Sequence, residues 1–229
     1  MALTPKLTQL QQQMQRKLEG SQFRWLNEQL YTIAGKEALE LMSQQPHLFD
    51  LYHRGFRAQA EQWPENPVHR IAKEVATFTK APATIVDLGC GDALVAQRLG
   101  PEGYTVRSFD LVAKPPLVEA ADMAAVPMKD STADVVIFSL SLMNTNWGKG
   151  AAEGARILRK GGIMKIAEVV SRIPNLDEFI ACLEVLGLQV MSKDTSNTMF
   201  VFLTLRKKTA LRPGAGAFEP LKPCIYKRR

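Results

Sequence analysis

"TIVDLGCGDALVAQRL", residues 84–99, reads as a strand, a turn of bare backbone and the start of a helix. A short run of β-branched residues leads into Asp87. Gly89 and Gly91 follow, one residue apart, then Asp92 and apolar residues at helical steps. Strand, glycine turn and helix in that order open a parallel sheet whose ligands bind beyond the carboxyl ends of the strands. Glycine lets backbone come close to a ligand with no Cβ in the way. Two glycines are also compatible with a tight turn and nothing more.

Downstream the rhythm repeats. "YTVRSFD", "ADVVIFSLS", "GGIMKIAEVV", "LQVMSKD" and "TMFVFLTLR" are strand-like, with helix candidates at 92–99, 149–160 and 175–187. Continuous Val/Ile/Phe runs predict strands covered on both faces, as in a mostly parallel α/β sheet. The last two runs are split by "DTSN" and should pair as an antiparallel hairpin. A Rossmann-like, mostly parallel seven-stranded sheet ending in an antiparallel hairpin resembles the class I methyltransferases. Upstream, apolar residues recur at three- and four-residue steps (Leu39, Met42; Phe49, Tyr52, Phe56), and Pro46, Pro64 and Pro67 interrupt them. Short helices are expected there. The expected division is a polar lead-in at 1–20, an N-terminal helical cap at 21–80, a Rossmann-like core at 81–209, and a basic extension at 210–229 packed on or near the core.

The 229 residues are 46% hydrophobic and 23% charged, as in a globular protein. No apolar run approaches the ~20 residues of a membrane span. The first residues are polar and glutamine-rich, without the apolar core of a signal peptide, so an intracellular protein is expected. Cys90, Cys182 and Cys224 are scattered and form no CxxC pair, and no metal site is expected. The net charge is +6. From Arg206 onward the chain carries Arg206, Lys207, Lys208, Arg212, Lys222, Lys227, Arg228 and Arg229 against Glu219 alone, leaving a near-neutral body. A basic tail is either solvated or a grip for a polyanion.

Against the dinucleotide fingerprint GxGxxG, Gly89 and Gly91 fit, but Leu94 stands at the third glycine. That glycine lets the helix pack beneath a pyrophosphate, so a nicotinamide dinucleotide is disfavoured. S-adenosylmethionine has no phosphate; it carries an ammonium, a carboxylate, a sulfonium and a ribose. Asp87 suits its positive amino-acid end. Asp110, ending the second strand, suits ribose hydroxyls, which would also serve a dinucleotide. The class I resemblance implies that Asp122 reaches the adenine amino group and Met123 packs on the ring, although Met123 also reads as core filler. Past the fourth strand, Ser139 and "NTNW" (Asn144, Asn146, Trp147) surface near the reacting carbon. They could hold a nucleobase by its edges and one face, or simply cap the next helix.

"FRWLNEQLYT", "LYHRGFRAQAEQWPENPVHRIA", "VDLGCGD", "DMAAVPM", "FSLSLMNTN", "LRKGGIMKIAEVVSR", "SKDTSN" and "PCIYKRR" together resemble the nucleomethylin-type ribosomal RNA-processing methyltransferases over residues 21–229. The resemblance implies S-adenosylmethionine-dependent methylation of adenine N1 in large-subunit ribosomal RNA, in the nucleolus of the nucleus. It also implies cofactor contacts at His53, Gly89, Asp110, Asp122, Met123 and Ser139. Larger members carry a long basic N-terminal region not seen here, so a short member or a piece of a longer chain is expected. Glu168 and Asp194 end later strands and are candidates to favour a cationic product, or are ordinary turn acids. Lys207, Lys208, Arg228 and Arg229, with Arg24 and Arg172, are candidate phosphate contacts. Two other readings stay open: methylation of a different acceptor, and a cofactor-binding scaffold in chromatin or ribosome assembly.

Overall fold

The computed structural model describes residues 8–114, 116–212 and 214–224. Its centre is one seven-stranded sheet in the order β3-β2-β1-β4-β5-β7-β6. The strands are β1 (Thr84–Leu88), β2 (Thr105–Asp110), β3 (Val118–Ala120), β4 (Ala133–Ser139), β5 (Leu158–Val169), β6 (Leu188–Asp194) and β7 (Phe200–Lys207). Pairing is parallel from β3 through β5, and β7 lies antiparallel between β5 and β6. The predicted hairpin is therefore present. Strand order reverses between β1 and β4, which makes their carboxyl ends the place for a ligand.

Both faces of the sheet are covered, as the unbroken apolar runs require. Val86, Val136 and Phe138 point to one side. They meet α6 (Trp147–Ile157) and α7 (Leu176–Val185) through Ala151, Ala155, Phe179 and Leu183. Ile85, Val135 and Ile137 point to the other, against Ile71 and Val75 of α4 (Pro67–Phe78) and Val95 and Leu99 of α5 (Leu94–Leu99). Helix α4 begins where its sequence says it should: Pro67 occupies the first turn, and the Asn66 side chain accepts from the Val68 amide at 3.2 Å.

Helices α1 (Gln9–Leu30), α2 (Gly35–Gln44) and α3 (Pro46–Ala60) form the cap. Their small core of Leu26, Leu30, Ala38, Met42, Leu48 and Phe49 is joined to the sheet by Leu111, Val112 and Met143. Helix α1 runs unbroken across residue 20, and α4, inside the expected cap, packs on the sheet. Past β7 the chain folds back over α6 and the end of β5. The Trp147 indole donates to the Glu219 carbonyl at 2.8 Å, Arg172 Nε to the Lys222 carbonyl at 3.0 Å, and the Asn27 amide to the Cys224 carbonyl at 3.3 Å. No helix among the described residues is long and apolar enough to cross a membrane.

Candidate functional site

At the switch point the cap closes over the ends of β1, β2 and β4 to leave a cavity of about 160 Å³. Its floor is Asp87, Gly89 and Gly91. Asp110, Met123, Ser139 and Ser141 form one wall, and Tyr52, His53, Phe56 and Met143 the other. Backbone shape is built into it. Gly89 sits at φ +74°, and a Cβ there would lie 2.4 Å from Ser141 Cβ. Leu140 takes the left-handed conformation without being glycine (φ 58°), turning the chain so that Ser141 closes on Gly89.

Asp87 is only 1% exposed, and neither carboxylate oxygen has a hydrogen-bond partner. Burial, with the charge of Asp110 adding to it, raises its pKa to about 7. A buried carboxylate without a partner is costly and persists only where something else repays it. The Ser141 hydroxyl, in the same cavity, is also without a partner. Asp110 accepts from the Gly91 and Leu111 amides, each at 2.7 Å, which fixes its orientation and braces the glycine turn. His53 Nδ1 lies 3.0 Å from the Phe49 carbonyl. A carbonyl can only accept, so Nδ1 carries a hydrogen, and Nε2 is turned toward Gly91. Arg57 ties the cap to this turn through both oxygens of Asp92, at 2.8 and 3.0 Å.

Of the residues singled out in sequence, His53, Asp87, Gly89, Gly91, Asp110, Met123, Ser139 and Asn144 come together around this cavity. Asp122 lies beside it, its Oδ1 accepting from the Ala124 amide at 2.9 Å. Met123 seats against α6, where Gly150 leaves the room: a Cβ there would be 2.9 Å from Met123 Cγ. Asn144 lines the cavity while its amide donates to the Leu30 carbonyl at 3.1 Å.

Several expectations need correction. Trp147 offers no stacking face; it is buried against Phe179 and Phe218, in the first turn of α6. Asn146 accepts from the Gly35 amide at 2.9 Å and fastens the cap. Glu168 is buried in an ion pair with Arg172 at 2.7 Å and is not among the residues that line the cavity, so it is a core acid. Arg172 is equally buried, donating to Leu142 and Lys222 carbonyls with its guanidinium over the Tyr31 ring, and is no phosphate contact. Asp194 is held by Arg70 and Ser196 at the sheet edge. Lys207 is buried, and its ammonium donates to the Leu158 carbonyl at 2.6 Å. Lys208 is exposed, and Arg228 and Arg229 lie outside the described residues. Tyr52, Phe56 and Ser141 escaped the sequence reading. The aromatic step Phe49–Tyr52–Phe56 was visible, but it read as a helix face.

Comparison with known proteins bears on this cavity. Residues 9–229 match a family model described as "Hypothetical methyltransferase". The chain is 42% identical to "Ribosomal RNA-processing protein 8" of Dictyostelium discoideum, covering 98% of this chain but 61% of the relative. It is 43% identical to the "25S rRNA (adenine(645)-N(1))-methyltransferase" of Schizosaccharomyces pombe, covering 98% and 74%. Among solved structures, a Burkholderia thailandensis 1,6-didemethyltoxoflavin-N1-methyltransferase with bound S-adenosylhomocysteine shares the fold. Its TM-score is 0.54 at 16% identity, over 69% of this chain and 87% of that one.

Proposed function

The chain belongs to the methyltransferase family that its model matches, and on that premise we propose that it transfers a methyl group from S-adenosylmethionine to N1 of an adenine in large-subunit ribosomal RNA. The observation that carries the cofactor is the unpartnered, buried Asp87 carboxylate on the cavity floor. A cationic amino-acid end laid over bare glycine backbone is what such a group lacks. Asp110 would grip the ribose, Asp122 and Met123 the adenine, while Ser141 and His53 Nε2 supply polar contacts near the glycine turn. The substrate rests on the activity for which the Schizosaccharomyces pombe relative is named. An rRNA substrate implies work in ribosome biogenesis, in the nucleus and nucleolus.

When bound, S-adenosylmethionine supplies an electrophilic methyl on a sulfonium sulfur. Neutral adenine carries a lone pair and no hydrogen on N1, so no side chain need remove a proton. The protein's tasks are to orient the base and to exclude water. With Trp147 buried, Tyr52 and Phe56 on α3 are the rings that flank the cavity and could receive the base face. Positive charge appears on the base as N1 is alkylated, and the carboxylates of Asp87 and Asp110 make the surrounding potential favourable to it. N1 lies on the pairing edge, so the target adenine must be unpaired or pulled from its stack. The test is incubation with labelled S-adenosylmethionine and large-subunit rRNA, followed by mapping of the product. Label on adenine N1 is expected. Label on another atom, on protein, or on no RNA despite cofactor binding would overturn the reading.

A further inference from the structure

The cavity occupies one end of the sheet; a groove of about 510 Å³ occupies the other. There the amino ends of β1, β4 and β5 meet the end of β7 and the chain leaving α4. Lys80, Arg159 and Arg206 line the groove, and Asp134 is its acid. Asp134 is already spent, accepting from Arg159 and from the Thr84 amide. Lys80 and Arg206 are exposed and enter no salt bridge among the described residues. Exposed Lys160 and Lys208 flank them, next to groove-lining Gly161 and two residues beyond Arg206. The rim also carries an exposed ring, Phe78 (44%), at the end of α4.

We propose that this groove is a second RNA site, holding phosphates of an unpaired segment away from the target base, with Phe78 stacking on one of its bases. Cations along a channel with an aromatic platform are what single-stranded nucleic acid uses; an acidic peptide would need the charges but not the ring. The proposal rests on the RNA-modifying reading and extends it to the length of substrate engaged. From Asp134 in the groove to Ser139 at the cavity is five strand residues, roughly 16 Å at ~3.3 Å each. At ~3.4 Å per stacked nucleotide, an RNA that reaches both must run at least about five nucleotides beyond the target adenine.

The test compares binding of a 20-nucleotide and a 4-nucleotide RNA around the target adenine, by fluorescence anisotropy across salt concentrations. The proteins are the wild-type chain, the triple variant Lys80→Gln/Arg206→Gln/Lys208→Gln, and Phe78→Ala. These side chains are exposed, and unchanged S-adenosylhomocysteine affinity checks the fold. Losing three phosphate contacts at ~0.7 per contact should flatten the log–log salt slope for the long RNA by about two. The affinity loss should be on the order of 50-fold at 0.15 M salt. Phe78→Ala should weaken the long RNA by at least about fivefold. The short RNA should respond to neither change. Equal loss for both lengths, or no loss, overturns the groove while leaving the methylation reading intact. Competition by hexaglutamate with Phe78→Ala silent reassigns the groove to acidic protein and also overturns it. A wild-type chain that binds neither RNA sinks the methylation reading and the groove together.

Discussion

Replacing Asp87 with asparagine keeps its shape and removes its charge. In the folded chain this carboxylate has no partner, and its pKa stands near 7 against an ordinary 3.8. Between those values the folded state holds a proton that the unfolded chain has released. Stability therefore falls as pH rises through this window. The cost reaches about 4 kcal/mol above pH 7, and about 3 kcal/mol of it accrues between pH 5 and pH 8. Without ligand, Asp87→Asn should gain about that much on the wild type over the same pH span, read by urea unfolding at each pH. Ligand binding should move the opposite way. A cationic amino-acid end selects ionised Asp87, so wild-type affinity for S-adenosylhomocysteine should rise up to about tenfold per pH unit toward pH 7 and level off above. The variant should bind weakly and show no such rise, read by calorimetry. A stability difference that ignores pH, or undiminished binding by Asp87→Asn, would refute the assignment.

Gly89→Ala should cost about 2 kcal/mol or more and remove S-adenosylhomocysteine binding, since the new Cβ meets Ser141 and the backbone is left-handed. Denaturation and calorimetry read the two effects. Trp147→Phe should leave methyl transfer within about threefold of wild type, whereas Trp147→Ala should cost about 3–5 kcal/mol of stability. Lost turnover in a stably folded Trp147→Phe would return the ring to the active site. Arg172→Met should destabilise by about 3–5 kcal/mol, because it strands the buried Glu168 charge. Adding Glu168→Gln should recover much of that in urea unfolding, and no recovery would mean the pair is not the reason.

Most of the sheet could be read from the sequence because strands buried on both faces must be apolar throughout, as 84–88 and 133–139 are. The glycine turn and the acids at the ends of β1 and β2 were legible for a related reason: close backbone approach and a charged ligand demand those residue types. The errors have separate physical origins. Trp147 is buried by residues 71 and 72 positions away in sequence, Phe218 and Glu219, and no local pattern carries such a contact. At Lys207 the periodicity of the strand outweighs the charge. Lys207 shares a face of β7 with Leu203 and Leu205, and the two-residue alternation points it inward. Glu168 reads as a strand-end acid and Arg172 as a surface base, but at a spacing of i,i+4 across the end of β5 they neutralise one another. Tyr52 and Phe56 belong to a helix face that packs like any other until a ligand site is seen beneath it.

A crystal of the chain soaked with S-adenosylhomocysteine tests the central claim most directly. The amino end of the ligand should lie over the glycine turn within reach of Asp87, the ribose at Asp110, and the sulfur facing the opening between Tyr52, Phe56 and Asn144. A ligand lodged elsewhere, or a cavity that stays empty at saturating concentration, would contradict the account.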